Sequence, residues 1–208
     1  MYRWQVMNRI AEQRVIGIVR ADEAGAAVDA AGSLIGAGLR IVEVAFTTPG
    51  TTDAIRELAR PAHADALIGA GTVLDAASAR LAILAGARFL VSPHVDLQVI
   101  AAGHRYDVPV LPGAHTVTEI VAAMEAGADA VKLFPASIGG PAGLRDLRGQ
   151  LPHVPFIPTG GVTIADAPDY IAAGAVAVGL GSALTKGTAA ETADRARTLL
   201  EALREAAL

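Results

Sequence analysis

Across the eight stretches of this chain that read as β-strands, three side chains carry a formal charge: Arg20, Glu43 and Lys132. Lys132 interrupts Ala130-Val131-Lys132-Leu133-Phe134-Pro135-Ala136, a run apolar on both faces and stopped by a proline. An ammonium is costly inside a strand layer unless it is paired, reaches water or is used chemically. Alternation puts Ile41, Glu43, Ala45 and Thr47 on one strand face, and Ala130, Lys132 and Phe134 on one face of another. If both faces point inward, amine and carboxylate meet. The residues alone leave two readings open. One is a buried ion pair, in which desolvation tends to cancel the attraction. The other is an amine of lowered proton affinity that attacks a carbonyl while the carboxylate moves protons.

Glycine-rich strand ends supply further candidates. Gly69-Ala70-Gly71-Thr72 brings backbone close to a ligand because its residues are small, although the same glycines would also serve simple packing. Pro158-Thr159-Gly160-Gly161 follows the seventh strand, and Gly179-Leu180-Gly181-Ser182 the eighth. In α/β barrels, loops at those two places commonly bind phosphate through backbone N–H groups and a helix start. The five histidines, His63, His94, His104, His115 and His153, fall in no metal-binding spacing, so no metal is expected.

The elements that position these residues follow a repeat of helix, glycine, strand. Gly36-Ala37-Gly38, Ala85-Gly86, Ala126-Gly127 and Ala173-Gly174 each end an alanine-rich run and lead into Ile41–Phe46, Phe89–Val91, Ala130–Phe134 and Val176–Gly179. Four more apolar runs, Val15–Arg20, Leu67–Thr72, Val108–Pro112 and Phe156–Thr159, bring the strands to eight. Helical spacing marks Glu23–Ile35, Thr51–Arg60, Ala76–Ala85, Leu97–Tyr106 and Val117–Ala126, several opened by an Asp, Ser or Thr cap. Eight such units predict a (β/α)8 TIM barrel over residues 1–208 as a single domain; an open doubly wound sheet competes less well without a nucleotide fingerprint. An extra N-terminal helix, Tyr2–Gln13, is expected to close the bottom, and Ala189–Ala207 to form the last helix.

Composition narrows the function classes. The chain is 52% hydrophobic with 22 glycines and no cysteine, which excludes disulfides, thiolate metal sites and a cysteine nucleophile. No apolar run reaches the ~20 residues of a membrane helix, and the start has no signal-peptide core, so a soluble cytoplasmic protein is expected. A net charge of -4 without a basic cluster argues against nucleic acid.

Taken together, Glu43-Val44-Ala45-Phe46-Thr47-Thr48-Pro49, Gly69-Ala70-Gly71-Thr72-Val73, Val91-Ser92-Pro93-His94, Leu111-Pro112-Gly113, Val131-Lys132-Leu133-Phe134-Pro135-Ala136, Pro158-Thr159-Gly160-Gly161-Val162 and Gly179-Leu180-Gly181-Ser182 resemble the 2-keto-3-deoxy-6-phosphogluconate (KDPG) / 4-hydroxy-2-oxoglutarate (KHG) aldolase family. The resemblance runs from about Arg14 to Lys186. It implies a class I aldolase that needs no metal or other cofactor, usually a homotrimer, acting on a 2-keto-3-deoxy sugar acid phosphate and releasing pyruvate. Lys132 matches the Schiff-base lysine and Glu43 the acid/base. Thr72 and Phe134 match residues beside the pyruvate portion, and Thr159 a position tied to stereochemical preference. Gly160, Gly161, Gly181 and Ser182 match the phosphate loops. One departure is at Thr47, where many members carry an arginine that holds a carboxylate; Arg20 is the expected replacement. Two remoter readings are a phosphate-binding barrel isomerase or synthase, which needs no imine-forming lysine, and a non-catalytic sugar-phosphate-binding barrel.

Overall fold

Fully buried runs rich in β-branched residues and leucine become parallel strands because both of their faces are covered. In the computed structural model, which describes residues 1–205, these are β1 (Val15–Val19), β2 (Ile41–Ala45), β3 (Leu67–Gly71), β4 (Leu90–Val91), β5 (Val110–Leu111), β6 (Gly113–Ala114), β7 (Val131–Leu133), β8 (Phe156–Pro158) and β9 (Val178–Leu180). They form a curled parallel arrangement in two pieces: a six-stranded sheet ordered β5-β4-β3-β2-β1-β9 and a three-stranded sheet ordered β6-β7-β8. One parallel bridge, Thr159 to Gly179, joins the end of β8 to β9. The run expected as one strand over Val108–Pro112 instead ends at Leu111 and resumes at Gly113. Pro112 lies between the two pieces, and proline has no N–H to give a ladder.

The helices are α1 (Arg3–Gln13), α2 (Ala24–Gly36), α3 (Thr51–Leu58), α4 (Ala76–Ala85), α5 (Leu97–Arg105), α6 (Val117–Glu125), α7 (Gly140–Gln150), α8 (Ala167–Ala172), α9 (Ser182–Thr185) and α10 (Ala189–Glu205), and all of them except α1 cover the outer face. The expected caps are present. Asp75 accepts from the Ser78 N–H at 2.7 Å, Asp96 from Gln98 and Val99 at 2.8 Å each, and Thr116 forms a capping box with Glu119. α7 buries Leu144 and packs Leu147 partly against the core, a short apolar stripe diluted by glycine, proline and charged residues. The last helix is described to Glu205; residues 206 and 207 of the expected span lie outside the described residues.

Alternation divides the core. Val15, Val19, Val42, Val44, Ile68, Val110, Val131, Phe156 and Val178 face the helices. Ile16, Ile18, Ile41, Leu67, Phe89, Val91, Leu111, Ala130, Ile157 and Ala177 face the opposite way, and Val6 and Ile10 of α1 pack among them. The amphipathic N-terminal helix therefore covers the inner cluster. Among the described residues no helix is long and apolar enough to cross a membrane.

Candidate active site

Register places the two key side chains on the inner face. Ile18 pairs with Glu43 and Glu43 with Gly69, while Gly113 pairs with Lys132 and Lys132 with Ile157. Paired residues of parallel strands share a face, so Glu43 and Lys132 lie on the side of Ile18 and Ile157.

Glu43 is 1% exposed, and its Oε1 is buried with no hydrogen-bond partner. An orphaned buried acceptor costs about 1–3 kcal/mol. Burial raises the Glu43 pKa above its ordinary value of 4.5, and the nearby Lys132 and Arg20 charges counteract this only in part. Among the described residues no salt bridge joins Glu43 to Lys132. The two groups are electrostatically coupled and remain unpaired. Space for Glu43 comes from β3: a Cβ on Gly71 would stand 1.7 Å from Glu43 Oε1. The Gly69-Ala70-Gly71 run thus has two packing jobs, because a Cβ on Gly69 would stand 2.4 Å from the Phe89 ring.

Lys132 is 4% exposed, with Nζ 5.1 Å from the centroid of the Phe134 ring. It forms part of the wall of a cavity of about 560 Å³, together with Arg20, Phe134, Thr159, Gly160, Gly161, Gly181, Ser182 and Lys186. Eight of the eleven residues singled out from the sequence thus share one cavity. Gly160 and Gly161 are consecutive residues at φ 87° and 82°, the left-handed region where glycine is unstrained. Their missing side chains also leave room for Phe134 and Ser137, whose atoms would lie 2.8 Å and 2.5 Å from the added Cβ atoms. Buried Thr159 donates its hydroxyl to Ile157 O at 3.2 Å.

Glu43, Thr47 and Thr72 do not form the wall of that cavity. Glu43 lies buried beside it, coupled to Lys132 and Arg20. Thr72, just past β3, holds φ 56°, a conformation costly for a β-branched residue. Thr47 differs from the alternation that groups it with Glu43. The chain turns immediately after β2, with the Thr48 N–H donating to Ala45 O at 2.9 Å, and this leaves Thr47 exposed. The buried neighbour is Thr48, whose hydroxyl accepts the Ala21 N–H at 3.1 Å and ties the β2 loop to the residue after Arg20. Lys186 is the cavity cation that inspection of the glycine loops misses. Its signal is its spacing of four from Ser182, one turn along α9.

Residues 6–199 match the model of the KDPG and KHG aldolase family. The chain belongs to that family and to the carbon–carbon lyases it comprises. It is 39% identical over 168 residues, 80% of each chain, to the 2-dehydro-3-deoxy-phosphogluconate aldolase of Treponema pallidum (strain Nichols). Its fold matches a native KDPGal structure with a TM-score of 0.87 at 34% identity, covering 93% of this chain and 95% of the other. It also matches the KDPG aldolase of Legionella pneumophila, with pyruvate captured at low pH as a covalent carbinolamine intermediate, with a TM-score of 0.81 at 29% identity and 96% coverage of each chain.

Proposed function

We propose that this protein cleaves 2-keto-3-deoxy-6-phosphogluconate to pyruvate and glyceraldehyde 3-phosphate through an imine on Lys132. The observation that carries this reading is a buried lysine in a cavity wall whose charge acts on a buried glutamate with no hydrogen-bond partner at Oε1. The covalent carbinolamine described for the Legionella pneumophila relative supports it.

The Lys132 Nζ lone pair adds to the C2 ketone, and the carbinolamine loses water as Glu43 donates a proton to the departing hydroxide. The C4 hydroxyl then yields its proton to the Glu43 carboxylate. The C3–C4 electron pair moves into the protonated imine, releasing the aldehyde and leaving an enamine. Protonation at C3 and hydrolysis return pyruvate and free lysine. A carboxyl whose pKa is raised by burial suits this two-way role, because a proton shuttle works best with a pKa near the working pH. Arg20 offers the substrate C1 carboxylate a bidentate partner that an exposed Thr47 hydroxyl cannot match. Thr72 and Phe134 flank the pyruvate portion, and the Gly160-Gly161 and Gly181-Ser182 loops receive the phosphate.

The proposal extends to architecture and setting. We read the two sheets as one closed (β/α)8 barrel and one domain, with β5 and β6 as a single strand position; the Thr159 to Gly179 bridge and the one-residue break at Pro112 support this. A cytoplasmic homotrimer fits the family resemblance.

Borohydride reduction in the presence of pyruvate tests the chemistry: a stable adduct is expected at Lys132, and labelling elsewhere in active enzyme overturns it. A panel of 2-keto-3-deoxy-6-phosphogluconate, its C4 epimer and 4-hydroxy-2-oxoglutarate, with pyruvate detection, tests the substrate. The galactonate epimer is the second reading, favoured by the close fit to the KDPGal structure. The first substrate is expected to be preferred, and a higher kcat/KM for the epimer or the unphosphorylated acid overturns that choice.

A further inference from the structure

We propose that Lys186 supplies the fixed positive charge for the terminal phosphate of the substrate and so sets the preference for phosphorylated over unphosphorylated acids, with Arg195 as its positioning residue. The inference rests on the aldolase reading above.

Three cations contribute to the cavity wall: Arg20, Lys132 and Lys186. The charges of Arg20 and Lys132 both reach the buried Glu43. Lys186 shares the wall with the Gly181-Ser182 loop, and its N–H donates to Ser182 O at 3.2 Å, four residues back. A 2-keto acid phosphate offers a carboxylate, a ketone and a phosphate in linear order. Arg20 and Lys132 match the first two, which leaves Lys186 for the third.

The surroundings keep that charge available. The nearest acid in the chain, Glu191, accepts from the Thr188 N–H at 2.7 Å and the Thr188 hydroxyl at 2.9 Å. Those bonds, followed by the Arg195 charge, lower its pKa. Among the described residues Lys186 has no salt-bridge partner. Its backbone is held from α10: Arg195 donates Nε–H to Leu184 O at 2.9 Å and also bonds Lys186 O. The backbone loops give the phosphate hydrogen bonds, and Lys186 adds the charge that glycine N–H groups lack.

The test is a pair of steady-state series on Lys186→Met and Lys186→Arg, with 2-keto-3-deoxy-6-phosphogluconate and with 4-hydroxy-2-oxoglutarate. Lys186→Met should raise KM for the phosphorylated acid by about tenfold or more, as expected for losing a charge-assisted contact. The KM for 4-hydroxy-2-oxoglutarate should move by less than about twofold, and Lys186→Arg should restore most of the loss. Arg195→Gln should raise the KM for the phosphorylated acid several-fold with little change in kcat. Equal KM changes on both acids, or none, overturn the assignment. Calorimetric binding of glyceraldehyde 3-phosphate separates the two levels of the argument. Wild type that binds it but turns over neither acid refutes the aldolase reading. The Lys186 assignment is then judged on whether Lys186→Met abolishes the binding.

Discussion

Gly71→Ala moves the acid without altering a single ionisable residue. Gly71 is not at positive φ, so its backbone accepts alanine and the new Cβ is the whole perturbation. That atom would lie 1.7 Å from Glu43 Oε1, 2.3 Å from Cδ and 2.6 Å from Cγ. To regain ordinary van der Waals contact the carboxylate must retreat by about 1.5–2 Å. A misplacement of about 1 Å can cost about 100-fold, and losing acid–base catalysis altogether costs about 100- to 10,000-fold. Gly71→Ala should therefore lower kcat at least about 100-fold, with an overpacking cost of about 1–3 kcal/mol in stability. Gly69→Ala is the control. It lies on the same strand and face, but its Cβ meets Phe89 ring atoms at 2.4–2.6 Å instead of the acid. It should destabilise comparably while holding kcat within a few-fold of wild type. Pyruvate release gives kcat, urea unfolding gives stability, and borohydride trapping reports imine formation. Folded Gly71→Ala protein with near wild-type kcat would refute the claim that the position of Glu43 matters, as would equal kcat losses in both variants.

Three further outcomes are expected. Arg20→Ala should weaken pyruvate binding and turnover by about tenfold or more, the cost of losing a bidentate carboxylate partner; unchanged kinetics in folded protein would make Arg20 structural. Thr159→Val should shrink the preference between C4 epimers, which one hydroxyl bond holds to about tenfold; a ratio unaffected by the substitution removes the threonine from stereocontrol. The raised Glu43 pKa gives a stability trend of definite sign. Between 4.5 and the raised value the folded state binds more protons than the unfolded, so this group's contribution falls as pH rises through that window. Glu43→Gln should flatten that fall in urea titrations, and parallel pH profiles for the two proteins would contradict it.

The amino-acid pattern alone announced most of the repeating units, the Asp and Thr caps, and the strand faces that carry Glu43 and Lys132. Each depends on local periodicity, 2.0 in strands and 3.6 in helices, which survives whatever the tertiary packing. Helices α7 and α8 were less legible, since glycine, proline and charge dilute their apolar stripe. Thr47 shows where alternation stops being informative: the rule holds only while the strand continues, and the turn after Ala45 ends it. Tertiary structure decided what no spacing encodes. Which glycine makes room for Glu43, whether its carboxylate is paired, and whether Lys186 joins the cavity all depend on residues far apart in the chain. Such contacts are set by register between strands and by close packing, in which a single added methyl group is felt.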